Sequence, residues 1–257
     1  MLSKQVTKIV QNLEKKKFRE KYNLFKTEGE KLVDELLHSS LKIHTIIGSP
    51  DWIAAHQSLL SGIPVHEADE REMHGISNFQ SLPEVIALAE IPRYTFQEPE
   101  ICRSLSLVLN GIQDPGNLGT ILRVADWFGI RHVFCDRDCA GVYNSKTVQA
   151  SMGAVFRVKT FYTDLSVLLK QFKGKGNFSI FGTFLDGENI YRAPLARQGF
   201  IVMGNEGKGI SAEMEALTDC KLTIPSFANT PESTESLNVG VATGIILSEF
   251  KRRTIEQ

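Results

Sequence analysis

Apolar positions follow two different rhythms along the chain. In the first third they recur mostly at helical spacing, interrupted by short β-branched runs. Val6, Ile9, Val10 and Leu13 share one face of a helix over Leu2–Lys17. Tyr22–Glu28 is predicted to be a short strand, and Glu28–Ser39 a helix with Leu32, Val33, Leu36 and Leu37 inward. Lys42–Gly48 is apolar and β-branched, the pattern of a buried strand. Pro50 suits the first turn of a helix reaching Ser61, with Asp51 near its positive end. A strand at Val65–Glu67, a helix at Asp69–Ile76 and a strand at Val85–Ala89 complete a small N-terminal α/β sandwich.

From Leu105 onward the strands are continuous apolar runs, each followed by a helical pattern. Predicted strands are Leu105–Leu109, Arg131–Cys135, Phe156–Phe161, Ser179–Leu185, Phe200–Met203 and Lys221–Ile224. Predicted helices are Leu118–Phe128, Ser145–Met152, Leu165–Phe172, Ala212–Leu217 and Leu237–Arg252. Strands without polar alternation belong to a parallel sheet covered on both faces. Such sheets bind ligands outside the carboxyl ends of their strands. Between the halves, PRYTFQEPEICR carries two prolines and weak periodicity, which makes residues 92–103 a linker short enough for the domains to pack. The expected domains are therefore 1–91 and 104–257.

Composition narrows the class. Of 257 residues, 42% are hydrophobic and 23% charged, which excludes disorder, collagen-like repeats and a coiled-coil rod. No apolar run approaches the ~18 residues of a membrane span, and the N-terminus has no apolar core with a cleavage site. Cys135 and Cys139 stand four apart, but no second Cys/His pair completes a zinc set. Reduced thiols, no metal and a cytoplasmic location are expected. The net charge of −1 hides an asymmetry: residues 1–26 carry eight Lys/Arg and two Asp/Glu, residues 51–100 two and nine. A basic arm on a near-neutral protein suits phosphates as well as solvent.

Three loops after strands hold the polar residues that packing does not demand. NGIQDPGNLGTILR (110–123) runs from a strand through Asp114, Pro115, Gly116 and Asn117 into a helix. Asn117 can cap that helix, and Gly116 and Gly119 permit close approach. IVMGNEGKGI (201–210) places three glycines in six residues after a buried strand. IPSFANTPESTESLNVGVATGIILS (224–248) is a polar loop leading into a helix of small residues.

Together these stretches resemble the three signature motifs of the SpoU/TrmH branch of the SPOUT superfamily, RNA ribose 2′-O-methyltransferases that use S-adenosylmethionine. The resemblance runs over residues 105–250 in order. A weaker one, in the basic stretch through Arg19 followed by Phe25, Glu28, Gly29 and Glu30, relates the first half to the family's RNA substrate-binding domain. The three-motif resemblance implies a C-terminal parallel-sheet domain tied in a deep trefoil knot, a homodimer formed through that domain, and an RNA partner. It puts the catalytic set on Arg123, Asn117, Glu206, Ser236 and Asn238. The cofactor contacts fall on Gly204, Ile224 and Leu237, with Met203 and Asn205 beside them. The stretch between Pro225 and Ser236 is longer than the family norm, so this loop is expected to be mobile without ligand.

Arg123 is expected to grip a phosphate and the developing alkoxide. A guanidinium that stays protonated stabilises charge; it does not remove protons. Glu206 is expected to orient it, while Asn117, Ser236 and Asn238 hold the ribose and the loops. RNA is expected on Lys15, Lys16, Lys17, Arg19 and Lys21, along with Lys4 and Lys8. Ribosomal RNA is the first expectation and transfer RNA the alternative. A non-catalytic RNA-binding or ribosome-assembly protein is the rival of another class. A dehydrogenase is disfavoured by the lack of GxGxxG after the first strand.

Overall fold

The computed structural model describes residues 2–79, 81–228 and 234–255. In chain order the N-terminal elements are α1 (Lys4–Asn12), α2 (Lys16–Tyr22), β1 (Leu24–Glu28), α3 (Glu30–Leu37), β2 (Ile43–Gly48), α4 (Pro50–His56), β3 (Val65–Glu67), α5 (Glu70–Ile76) and β4 (Val85–Glu90). A four-stranded sheet of order β1-β4-β2-β3 forms the middle layer. Central β4 is buried on both faces. Val85, Ala87 and Ala89 meet α3 and α4, while Ile86 and Leu88 meet α1 and α5. Asp69 and Glu72 close a reciprocal capping box on α5.

The predicted single helix over Leu2–Lys17 is in fact two. It breaks at Leu13–Lys15, and α2 continues to Tyr22, where Asn23 turns left-handed at φ 54°. The cause is a clamp from a side chain five to six residues further on. The Arg19 guanidinium donates to the carbonyl oxygens of Leu13 and Glu14, both at 2.8 Å, and so closes the turn.

The second half contains α6 (Glu98–Ile101), β5 (Leu105–Asn110), α7 (Pro115–Trp127), β6 (His132–Cys135), α8 (Ser145–Ser151), β7 (Lys159–Tyr162), α9 (Leu165–Phe172), β8 (Ser179–Asn189), β9 (Gly199–Gly204), α10 (Ala212–Leu217), β10 (Cys220–Thr223) and α11 (Val239–Ile255). Six parallel strands lie in the order β10-β8-β9-β5-β6-β7. Strand order reverses at β5, which lies between β9 and β6, and the crevice at its carboxyl end is where open α/β sheets bind ligands. Helices α7, α8 and α11 cover one face, and α9 and α10 the other. The strand expected at Phe156–Phe161 begins only at Lys159, because Met152 and Gly153 are left-handed and Ala154–Phe156 form a 3-10 turn. Within the expected linker, Glu98–Ile101 is a helical turn.

The two halves share one core. Phe25 of β1 packs on Tyr143, ring centroids 4.6 Å apart, and on Phe156. Beside them Lys26, 1% exposed, pairs with Glu14 at 2.9 Å and Glu28 at 2.6 Å. Glu14 in turn accepts the Ser145 hydroxyl of α8 at 2.9 Å. Arg157 adds a second tie between Glu35 of the first half and Asp126 of the second.

Candidate active site

The crevice is built by side chains that fasten loops to one another. β5 ends in Asn110, whose Oδ1 accepts the Ser211 N–H and whose Nδ2 donates to Asp136, both at 2.8 Å. One amide thus joins the ends of β5, β6 and the segment after β9. Gly111, at φ 74°, turns the chain, and its carbonyl accepts Asn205 Nδ2 at 2.6 Å. Beneath the turn, Cys139 Sγ accepts the Ile112 N–H and donates to the Leu109 carbonyl, each at 3.2 Å. A hydrogen bond to Cys139, together with burial, holds the Cys135 thiol well above the usual thiol range.

Asp114, not Asn117, caps α7: its Oδ1 accepts the Asn117 N–H at 2.7 Å, and Pro115 fills the first turn. The carboxylate sits three residues before an unpaired helix N–H, as a cap requires. This releases the Asn117 side chain. Its Nδ2 donates to Glu206 Oε1 at 2.7 Å, and its Oδ1 accepts Asn238 Nδ2 at 2.9 Å. Asn238 Oδ1 caps α11 by accepting the Gly240 N–H at 2.9 Å. A directed chain of hydrogen bonds, Asn238 to Asn117 to Glu206, therefore ties all three motif loops together.

The second loop closes on itself. Asn205 and Gly209 exchange two backbone hydrogen bonds of 3.0 and 2.9 Å, and Asn205 Oδ1 accepts the N–H groups of Gly207 and Lys208. A Cβ on Gly204 would lie 2.4 Å from the Gly209 carbonyl carbon and the Ile210 nitrogen, so only glycine fits. Asn205 is therefore a loop organiser whose side chain is already committed. Met203 is buried under the loop in the sheet core.

Arg123 lies six residues beyond Asn117 on α7, exposed, with no hydrogen bond or ion pair to it among the described residues. The expected orientation of Arg123 by Glu206 is not what the structure shows; the Glu206 carboxylate holds the Asn117 amide instead. Ser236 is exposed, Leu237 is 50% exposed, and Ile224 packs against the core. The centre of the third loop, 229–233, lies outside the described residues, and so does the expectation about its mobility.

Lys15, Lys16, Lys17 and Lys21 are exposed on and beside α2. Arg19 is not: it is 6% exposed and braces the α1–α2 turn, so its expected phosphate contact is corrected to a structural one. Asn110 and Cys139 were missed by motif reading. A polar residue ending a buried parallel strand, as in LSLVLN, was the available signal for Asn110.

The residues present fit S-adenosylmethionine. A Cβ on Gly209 would meet nothing within 4 Å and one on Gly207 only the Asn205 side chain, so the loop offers bare backbone at the crevice. Half-exposed Leu237 leaves an apolar side chain open just before α11. Among the described residues no group of three or more His, Cys, Asp or Glu could hold a metal ion, and no helix is long and apolar enough to cross a membrane.

Comparisons with known proteins place the chain in a family. Residues 104–248 match the SpoU rRNA Methylase family, and residues 4–87 match the MRM3-like substrate binding domain. The 23S rRNA (guanosine(2553)-2′-O)-methyltransferase RlmP of Bacillus subtilis is 30% identical over 93% of each chain. A TrmH-family RNA methyltransferase structure from Porphyromonas gingivalis superposes with a TM-score of 0.85 at 37% identity, over 98% of this chain and 99% of that one. The AdoMet-bound rRNA methyltransferase of Sinorhizobium meliloti superposes at 0.83 with 27% identity, over 98% and 96%. The chain belongs to the SpoU rRNA methylase family, a class of S-adenosylmethionine-dependent RNA ribose 2′-O-methyltransferases.

Proposed function

We propose that this enzyme methylates the ribose 2′-hydroxyl of one nucleotide in ribosomal RNA, in the cytoplasm. The observation that carries the reading is the Asn238–Asn117–Glu206 chain, which locks three loops around one crevice at the carboxyl ends of β5 and β9. RNA-modifying relatives that span both halves of the chain support ribosomal RNA as the substrate.

S-adenosylmethionine supplies an electrophilic methyl group when bound. The chain's own residues position the acceptor. Gly204–Gly209 and Leu237 form the walls against the donor. Arg123 binds the phosphate beside the target ribose and stabilises negative charge as the hydroxyl loses its proton to phosphate or water. Asn117 and Asn238 hold the N-termini of α7 and α11 in register, and Ser236 contributes to the ribose contacts. Alignment of this kind supplies up to roughly 7–11 kcal/mol of a barrier.

A homodimer through α7 and α11 completes the proposal. Gly240 packs on Thr120, and Val124 lies near Gly244, so the helices form a tight seam. On these helices Trp127 is 84% and Val241 52% exposed, an apolar surface suited to a second copy. We also infer the trefoil knot that the family resemblance implies, with which the packing of α11 on α7 is compatible. Pulling the chain from both ends should give a contour length shortened by the retained knot; full extension would exclude it.

Mapping 2′-O-methyl groups in RNA from a deletion strain tests the function. The expected result is one ribosomal position lost and restored by the wild-type gene. A loss confined to transfer RNA would overturn the ribosomal assignment.

A further inference from the structure

On α2, the rings of Phe18 and Tyr22 stack one turn apart, centroids 6.2 Å and planes 14° from parallel. Each carries its own cation: Lys17 Nζ lies 5.0 Å from the Phe18 centroid, and Lys21 Nζ 5.7 Å from that of Tyr22. Both rings are partly exposed, while Lys15, Lys16, Lys17 and Lys21 are exposed. Ring pairing at i, i+4 supports the helix and Tyr22 also packs on the N-terminal core, yet both rings and their cations stay at the surface. Lysine ammonium groups so near aromatic faces are held where a phosphate can draw them off.

The strip is also fixed in place. Arg19 clamps the turn before α2, and Glu14 in that turn reaches across to Ser145 of α8. Exposed Lys146, next along, carries the positive surface on to the catalytic half.

We propose that Phe18 and Tyr22 are stacking rungs for unpaired nucleobases of the RNA substrate, with Lys15, Lys17, Lys21 and Lys146 on the adjoining phosphates. The inference rests on the RNA reading above and goes further, because it names single-stranded RNA as what this strip grips. Lysines alone hold duplex and single strand alike, since both present phosphates. Aromatic faces discriminate: a base must be out of its helix to stack on them, and every base has such a face. On binding, the ammonium groups leave the rings for the phosphates and the bases take their place.

The test uses the full chain, an unstructured oligouridine and a blunt RNA hairpin of equal length whose loop is replaced by a non-nucleotide linker so that every base is paired, with affinities measured across a salt series. Phe18→Leu/Tyr22→Leu keeps apolar bulk against the core and removes the π faces. Its expected effect is about a tenfold or greater loss of oligouridine affinity, with the salt slope unchanged and hairpin affinity nearly unchanged. Lys17→Gln/Lys21→Gln should instead flatten the slope for both RNAs. S-adenosylmethionine binding by each variant checks that the fold is intact. Equal losses for oligouridine and hairpin, or no loss for either, would overturn the stacking role while leaving the RNA reading in place. Failure of the wild-type chain to bind either RNA would count against the RNA reading itself.

Discussion

The Arg123 side chain stays outside the hydrogen-bonded frame among the described residues, and this sets its expected behaviour. Replacing it by Ala removes no contact that holds a loop, so turnover should fall at least ~100-fold, the scale of one lost charge-stabilising donor, while calorimetry finds donor affinity nearly unchanged. Arg123→Lys should recover only part of the loss, because an ammonium keeps the charge without the planar fork. Near-normal single-turnover rates in Arg123→Ala would remove the residue from the mechanism. Much of the site was legible residue by residue, because glycine and asparagine in close succession after a buried strand have few other uses. The partners were not. Nothing local to Asn117 shows that it spends both ends of its amide on Glu206 and Asn238, which lie 89 and 121 residues away. Arg19 was misread for a different reason: a basic residue in a basic run looks solvated, although here it turns inward onto carbonyls five and six residues back.

Most elements followed directly from the apolar rhythm, and the failures cluster where a side-chain clamp or a left-handed residue intervenes, as at the α1–α2 break and at Met152–Gly153. The strand β6 carries a further consequence. His132 at its start is buried against Phe161, with Nε2 3.3 Å from Glu100 and no hydrogen bond to either ring nitrogen among the described residues. Desolvation holds its pKa below the usual 6.5, against the opposing pull of Glu100. As pH drops below that usual value, the unfolded chain takes up a proton that the folded one refuses, so stability falls with pH from there down to the lowered folded value. Urea midpoints for wild type should drop between neutral pH and about pH 5.5, and His132→Phe should show a smaller drop. An identical drop in the variant would assign the acid sensitivity elsewhere.

At the scale of the molecule, the proposed dimer rests on the exposed α7–α11 surface. Trp127→Glu should shift the chain to monomer in sedimentation, and wild type that sediments as monomer across the micromolar range would sink the dimer. Removing residues 1–26 is a poor test of RNA binding, because it takes Phe25 and Lys26 out of the shared core. Charge-removing substitutions on the exposed lysines are the cleaner tool. That core has one more implication. With Phe25 seated against Tyr143 and Glu14 bonded to Ser145, the gripping strip and the methyl-donating crevice cannot slide apart. If the strip grips RNA as proposed, the molecule is a caliper with its jaws soldered at one opening, and it would choose its nucleotide by how far that nucleotide lies from the gripped strand.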